Sequence, residues 1–202
     1  NGLMTAYFLA KDGQAVSVIE RGQIGRESSW AGGGILSPLY PWRYPQAVTD
    51  LVQQSQRQYP DLLAQLEKLS GIDSEHLHSG LLILDAESND DAMNWATQTD
   101  TQMQLIGQSR IREIAPSINL ESESALWMPE VGQVRNPRLV KALHEALIKL
   151  GVEIHEQCEV LDLEADQQTI RGVKTTKGTI TSQSIAVCCG AWSAKLLATL
   201  DV

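Results

Sequence analysis

Gly2-Leu-Met-Thr-Ala-Tyr-Phe-Leu-Ala-Lys-Asp-Gly13, followed by Gln14-Ala-Val-Ser-Val-Ile-Glu20, is the stretch that decides how this chain is read. Leu3, Ala6, Tyr7 and Ala10 recur at helical spacing and predict a helix over residues 3–12 with a small-residue face suited to lying on a sheet. Gly13 ends it from the C′ position. Residues 15–20 then read as a strand that is apolar on both faces, as in a parallel sheet covered on both sides. The strand closes on an acid, Glu20, 18 residues beyond the helix-opening Gly2. A nucleotide-binding βαβ unit uses an acid at this point to accept hydrogen bonds from the hydroxyls of an adenosine ribose. Gly2 fits the third glycine of G-x-G-x-x-G, where a missing side chain lets helix and strand pack closely. The other reading of Glu20, an exposed cap on a strand, stays open. The first two glycines and the first strand of such a motif are not in the sequence, so the chain is expected to be part of a longer protein.

Working outward, residues 21–45 are rich in glycine and carry Pro38, Pro41, Pro45, Trp30 and Trp42 without a clear period. That predicts a long ordered loop, and such loops are usually functional. Residues 46–70 carry a helical stripe that Pro60 is expected to kink or split. Strands are expected at 79–85 and 124–129, with a helix over 89–106 whose first turn holds Asp90 and Asp91, where the helix dipole favours them. Asn136-Pro137 opens a further helix, with Leu139, Val140, Leu143, Leu147 and Leu150 as its buried stripe and Gly151 at its end. Strands follow at 152–154, 159–165, 169–175 and 178–180, with Lys177-Gly178 as a hairpin turn. Ser184-Ile-Ala-Val-Cys-Cys-Gly190 reads as a last buried strand in the same sheet as 15–20, and a helix follows from Ala191.

Sixteen basic residues against 25 acidic ones leave a net charge of -9. Nucleic acid or an anionic membrane as the main partner is thereby excluded, because both require a basic face. No apolar run approaches the roughly 18 residues of a membrane span. Cys158, Cys188 and Cys189 lack a C-x-x-C spacing and are expected to be buried, reduced thiols of a cytoplasmic protein. His76, His78, His144 and His155 show no ligand spacing with them, so no metal site is assigned. No catalytic side chain is assigned either.

Three stretches carry chemistry. Glu20 is the first; its bare charge also repels a ribose 2′-phosphate. The second is Gly25-Arg-Glu-Ser-Ser-Trp-Ala-Gly-Gly-Gly-Ile-Leu36, in which Ser28 and Ser29 offer hydroxyls and N–H groups to a pyrophosphate. Gly32, Gly33 and Gly34 let backbone pass beside a flat ring without side-chain clash. The third is Cys189-Gly190-Ala-Trp192, a glycine between a buried strand and a helix, where a dinucleotide can approach closely.

Together these stretches resemble the FAD-dependent amine and amino-acid oxidases of the D-amino-acid oxidase family. The run Val18-Ile-Glu-Arg-Gly-Gln-Ile-Gly-Arg-Glu-Ser-Ser-Trp-Ala-Gly-Gly-Gly-Ile-Leu-Ser-Pro38 is similar to the N-terminal pattern of the glycine oxidases in particular. Gly80, Val134-Arg-Asn-Pro137 and Gly190-Ala-Trp-Ser193 match more widely across the family. The resemblance implies an α/β fold: an incomplete Rossmann-like FAD-binding domain (residues 1–40 and 136–202, lacking its first strand) and part of an antiparallel-sheet substrate domain (residues 41–135). It implies FAD as cofactor, with Asn1 facing the pyrophosphate and Glu20 the ribose, Arg21 beside it. Ser28 and Ser29 would lie along the phosphates, and Gly33, Gly34 and Ile35 would border the isoalloxazine. Val160 would contact the adenine side through its backbone. The implied reaction oxidises glycine or another small amine or D-amino acid with molecular oxygen, giving an imine and hydrogen peroxide, in the thiamine pathway. The family's substrate-anchoring residues lie outside this sequence, so Arg43, Arg135 and Arg138 are not promoted to that role. The chain by itself is expected neither to hold FAD stably nor to oxidise glycine. A D-amino-acid dehydrogenase, a sarcosine-type oxidase and a non-catalytic FAD-binding module remain alternatives, and homo-oligomerisation is left open.

Overall fold

The computed structural model describes residues 1–84, 89–118, 122–166 and 169–198. In chain order the first elements are α1 (Gly2–Lys11), β1 (Ser17–Ile19), α2 (Ser28–Ala31), a 3₁₀ turn (Pro41–Arg43) and α3 (Gln46–Ser70). They are followed by β2 (Leu77–His78), β3 (Leu81–Leu84), α4 (Asn89–Gln98), β4 (Gln104–Gly107), α5 (Gln108–Ile114), β5 (Ser124–Met128) and β6 (Gly132–Gln133). The last group is α6 (Asn136–Lys149), β7 (Glu153–His155), β8 (Val160–Asp166), β9 (Thr169–Thr175), β10 (Gly178–Thr181), a second 3₁₀ turn (Gly190–Trp192) and α7 (Ser193–Leu197). The chain divides into two compact units: Asn1–Gly32 with Gln65–Asp73 and Asn136–Val202, and Gly33–Ala64 with Ser74–Arg135.

In the first unit β1 pairs in parallel with β7, Ser17 opposite Glu153 and Ile19 opposite His155. α1 packs on α6. Ala6 and Tyr7 are buried on α1, and Leu139, Ala142, Leu143, Ala146 and Leu147 on α6. Burying Leu147 completely contributes roughly 1.5–3 kcal/mol. β8, β9 and β10 form an antiparallel sheet with β9 in the middle, and Leu163 faces Val173 across it, both buried.

The second unit is organised around an antiparallel sheet in the order β3-β5-β4. Alternation along β5 sends Leu126 and Met128 into a cluster with Ile83, Ala92, Ala96, Met103 and Val131. Ala125 of β5 joins Ile106 and Ile111 in a separate cluster, with Trp127 packed against it. The sheet is therefore apolar on both faces, α4 supplying one cover and α5 the other. β2 and β6 form a short antiparallel pair of their own.

Several expectations need correction. Residues 184–189 form no strand, and so cannot share a sheet with β1. An apolar run signals a preference for burial and does not supply a neighbouring edge; no described strand pairs with this one. Consequently Cys188 and Cys189 are exposed, and of the three thiols Cys158 alone is buried. The helix expected over 89–106 stops at Gln98. Asp100 takes the left-handed conformation at φ 52°, and residues 104–107 turn into β4 because Leu105 and Ile106 find Leu126 and Ala125 of β5. Tertiary pairing has overridden a helical stripe there. α3 runs through Pro60 unbroken, so the helix is not split. The segment 21–45 is not wholly loop, since α2 and the first 3₁₀ turn lie in it. The β9–β10 turn is Thr176-Lys177, one residue earlier than expected, because Gly178 opposite Thr175 already belongs to β10. Asp85, the last residue of an expected strand, lies outside the described residues. No described helix is long and apolar enough to cross a membrane.

Candidate functional site

The N-terminus of α1 is uncapped by any side chain. Thr5 N–H donates to the Asn1 carbonyl at 2.9 Å, which leaves the N–H groups of Gly2, Leu3 and Met4 without a protein acceptor among the described residues. Such a helix start presents oriented donors and the positive end of the helix dipole, the arrangement that accepts phosphate oxygens. A Cβ added at Gly2 would lie 3.4 Å from Cys188 Cβ. The approach of α1 to the 184–189 segment is therefore close.

Glu20 follows the end of β1 and is half-buried. Parallel pairing fixes its backbone: its N–H donates to the His155 carbonyl, and its carbonyl accepts from Cys158 N–H, both at 2.9 Å. Its Oε1 accepts from Gly22 N–H at 2.9 Å. One carboxylate oxygen thus holds the turn after β1, and the other has no protein donor among the described residues. The turn-stabilising contact is made through Oε1, which leaves Oε2 as the oxygen a hydroxyl ligand could reach.

Arg21 lies beside it, clamped by Glu27 through three contacts of 2.7–3.0 Å. The Glu27 hydrogen bond raises the guanidinium pKa above its already high ordinary value, against partial desolvation, with further support from the charges of Glu27, Glu20 and Glu159. Its guanidinium carbon sits 4.2 Å from the centre of the Trp192 ring. Gly190, at φ 56°, starts the turn that brings Trp192 there. The Cys189 thiol is pushed up by desolvation first, then by Cys188 and Glu20. Val160 begins β8 opposite Thr175, and Glu159 before it exchanges hydrogen bonds with Thr176. Arg21 thus meets the Gly190–Trp192 turn through the Trp192 ring, and Gly2 lies close to Cys188 just before that turn.

Ser28 and Ser29 are exposed on α2, and Gly32 N–H donates to the Ser28 carbonyl at 3.1 Å. A Cβ at Gly32 would come within 2.4 Å of Asn136 Nδ2, so this glycine is needed where α2 meets the start of α6. Gly33, Gly34 and Ile35 belong to the second unit. Val134 N–H donates to the Gly34 carbonyl and Leu36 N–H to the Gly132 carbonyl, each at 2.9 Å, and Ile35 bridges Gln133. The run is an ordered backbone edge, with open space where a Gly33 side chain would stand. Glu27 is the functional neighbour that the sequence reading missed; its i+6 spacing from Arg21 carries no periodic signal. Among the described residues no three His, Cys, Asp or Glu side chains converge on a common point.

Within the first unit the residues present fit an FAD on two counts: an uncapped helix start for a pyrophosphate and a half-buried carboxylate with a spare oxygen for a ribose. A family model described as FAD dependent oxidoreductase matches residues 1–202. The glycine oxidase of Pseudomonas putida (strain KT2440) is 40% identical over 202 residues, which is all of this chain and 55% of that protein. The bifunctional protein ThiO/ThiG of Synechocystis sp. is 28% identical over 184 residues, 90% of this chain and 27% of its own length. The crystal structure of glycine oxidase from Geobacillus kaustophilus superposes with a TM-score of 0.91 at 27% identity, covering 100% of this chain and 55% of that one. The chain thus spans about half the length of the glycine oxidases it matches.

Proposed function

The chain belongs to the family of FAD-dependent oxidoreductases, and from that premise we propose that the whole protein is an oxidase of glycine and other small primary or secondary amines or D-amino acids. The products would be the imino acid, which hydrolyses to oxo acid and ammonia, and hydrogen peroxide. FAD, when bound, supplies the acceptor for the hydride equivalent leaving the substrate's α-carbon. This chain's own residues bind and orient it. The N–H groups at the start of α1, beside Asn1 and Gly2, take the pyrophosphate, with Ser28 and Ser29 as further donors. Glu20 takes the ribose through Oε2, while Arg21 and Trp192 wall that side and the Val160 backbone borders the adenine. Gly33, Gly34 and Ile35 pass along the ring. Residues 1–40 and 136–202 make up the cofactor domain and residues 41–135 contribute to the substrate domain. The likeness to the bifunctional ThiO/ThiG protein supports a place in thiamine thiazole synthesis. Three free thiols support a cytoplasmic setting.

The observation that carries this reading is Glu20, half-buried after β1 with one oxygen engaged and one spare. The test is oxidation of glycine by the complete FAD-loaded protein, with peroxide and oxygen uptake followed together. Equal amounts of both are expected. Glycine oxidation only with an artificial electron acceptor would move the protein to the dehydrogenases, and a bound flavin without turnover of any amine would make it a binding module.

A further inference from the structure

In a chain of net charge -9, three basic side chains line one cleft of the first unit. Arg26 reaches it from the segment after β1, and Lys141 and His144 line it from α6, at the i, i+3 spacing that puts two side chains on one helix face. The cleft holds about 360 Å³ and contains a single carboxylate, Glu156. That carboxylate is engaged: its Oε1 accepts from Ile24 N–H at 2.6 Å. Glu27, the next acid in sequence, is held by Arg21. Neither Arg26 nor Lys141 has an acidic partner among the described residues. The cleft is also built rigidly. Gly25 takes φ 69° and lies so close to α6 that a Cβ there would stand 2.2 Å from Val140 Cγ1. The Ile24–Glu156 bond ties the same segment to the residue after β7. Arg26 is laid over the Trp30 ring, its guanidinium carbon 4.5 Å from the centroid. Nearby, Lys177 donates to the Glu156 carbonyl at 2.8 Å.

We propose that this cleft binds a phosphate group, either free phosphate or the phosphate of a monoester. A guanidinium offers two parallel N–H donors to two phosphate oxygens, and an ammonium adds a point charge on the opposite wall. His144 completes the ring of donors with a ring N–H. The protein's overall negative charge repels anions elsewhere, so capture at this cleft is local and falls as salt rises.

The test is calorimetric titration of the FAD-saturated protein with inorganic phosphate, with acetate at matched ionic strength as the control. Phosphate is expected to bind at one site and acetate not to. Arg26→Gln and Lys141→Gln should each weaken phosphate binding about tenfold, the loss of one charge-assisted contact. Glu156→Gln should strengthen it, because a glutamine Oε1 still accepts from Ile24 N–H while the only negative charge in the cleft is removed. Opposite shifts of this kind do not arise from impaired folding, which weakens binding in every variant. Adenosine monophosphate serves as the second probe: tighter binding than inorganic phosphate, lost in Trp30→Leu, assigns the site to monoesters, and equal binding assigns it to free phosphate. Phosphate affinity indifferent to Arg26 and Lys141, or no binding at all, overturns the proposal.

Discussion

Replacing Glu20 by glutamine separates the two tasks assigned to its carboxylate. Oε1 accepts from Gly22 N–H at 2.9 Å, and a glutamine carbonyl accepts the same bond, so the turn after β1 survives. The other oxygen becomes an amide NH₂, which donates and no longer accepts from a ribose hydroxyl. A hydrogen bond to a charged group is worth roughly 1.5–3 kcal/mol net. Losing it should weaken FAD binding by roughly 10- to 150-fold at 1.4 kcal/mol per decade. The thermal midpoint without FAD should stay within about a degree of wild type, since a neutral acceptor replaces a charged one at a half-buried turn. The assay pairs a flavin-fluorescence titration with thermal unfolding of the flavin-free protein. Unchanged FAD affinity in Glu20→Gln would show that the carboxylate serves the turn alone. A lowered midpoint with proportionate loss of binding would show that the amide does not preserve the turn, and Glu20→Ala would then be no more damaging than Glu20→Gln.

Other expectations follow from single observations. Gly25→Ala should destabilise the protein by roughly 2–4 kcal/mol, since it combines a left-handed backbone with overpacking against Val140, and Val140→Ala should restore only the packing part in a double variant followed by denaturant unfolding. Leu126→Ala, at a fully buried position of β5, should cost about 2–5 kcal/mol by the same measurement. In the native protein, a thiol reagent should titrate Cys188 and Cys189 and reach Cys158 only on unfolding. Because desolvation raises the Cys189 pKa, its thiolate fraction at neutral pH is smaller than a free cysteine's, and its reaction rate should climb over a correspondingly higher pH range. A Cys189 that reacts as fast as free cysteine at neutral pH would contradict that environment.

What could be read without coordinates was local in origin. The helix from Gly2, the short apolar strand and Glu20 at its close are matters of side-chain period and of one charge at a strand end. So is the stripe of α6. The glycine run at 32–34 was legible as a backbone edge because glycine's missing side chain is itself the signal. What depended on distant neighbours was not legible. Residues 104–107 became strand because β5 offered them an edge, although their apolar spacing suited the preceding helix equally well. Residues 184–189 share the apolar character of a buried strand, yet no described strand pairs with them, and their cysteines face solvent. Glu27 meets Arg21, and Arg26 comes to line one cleft with Lys141 and His144 of α6, only through the path of the chain after β1. Periodicity reports which face a residue prefers; which partner occupies that face is set by contacts between segments far apart in sequence, and only the folded chain brings those together.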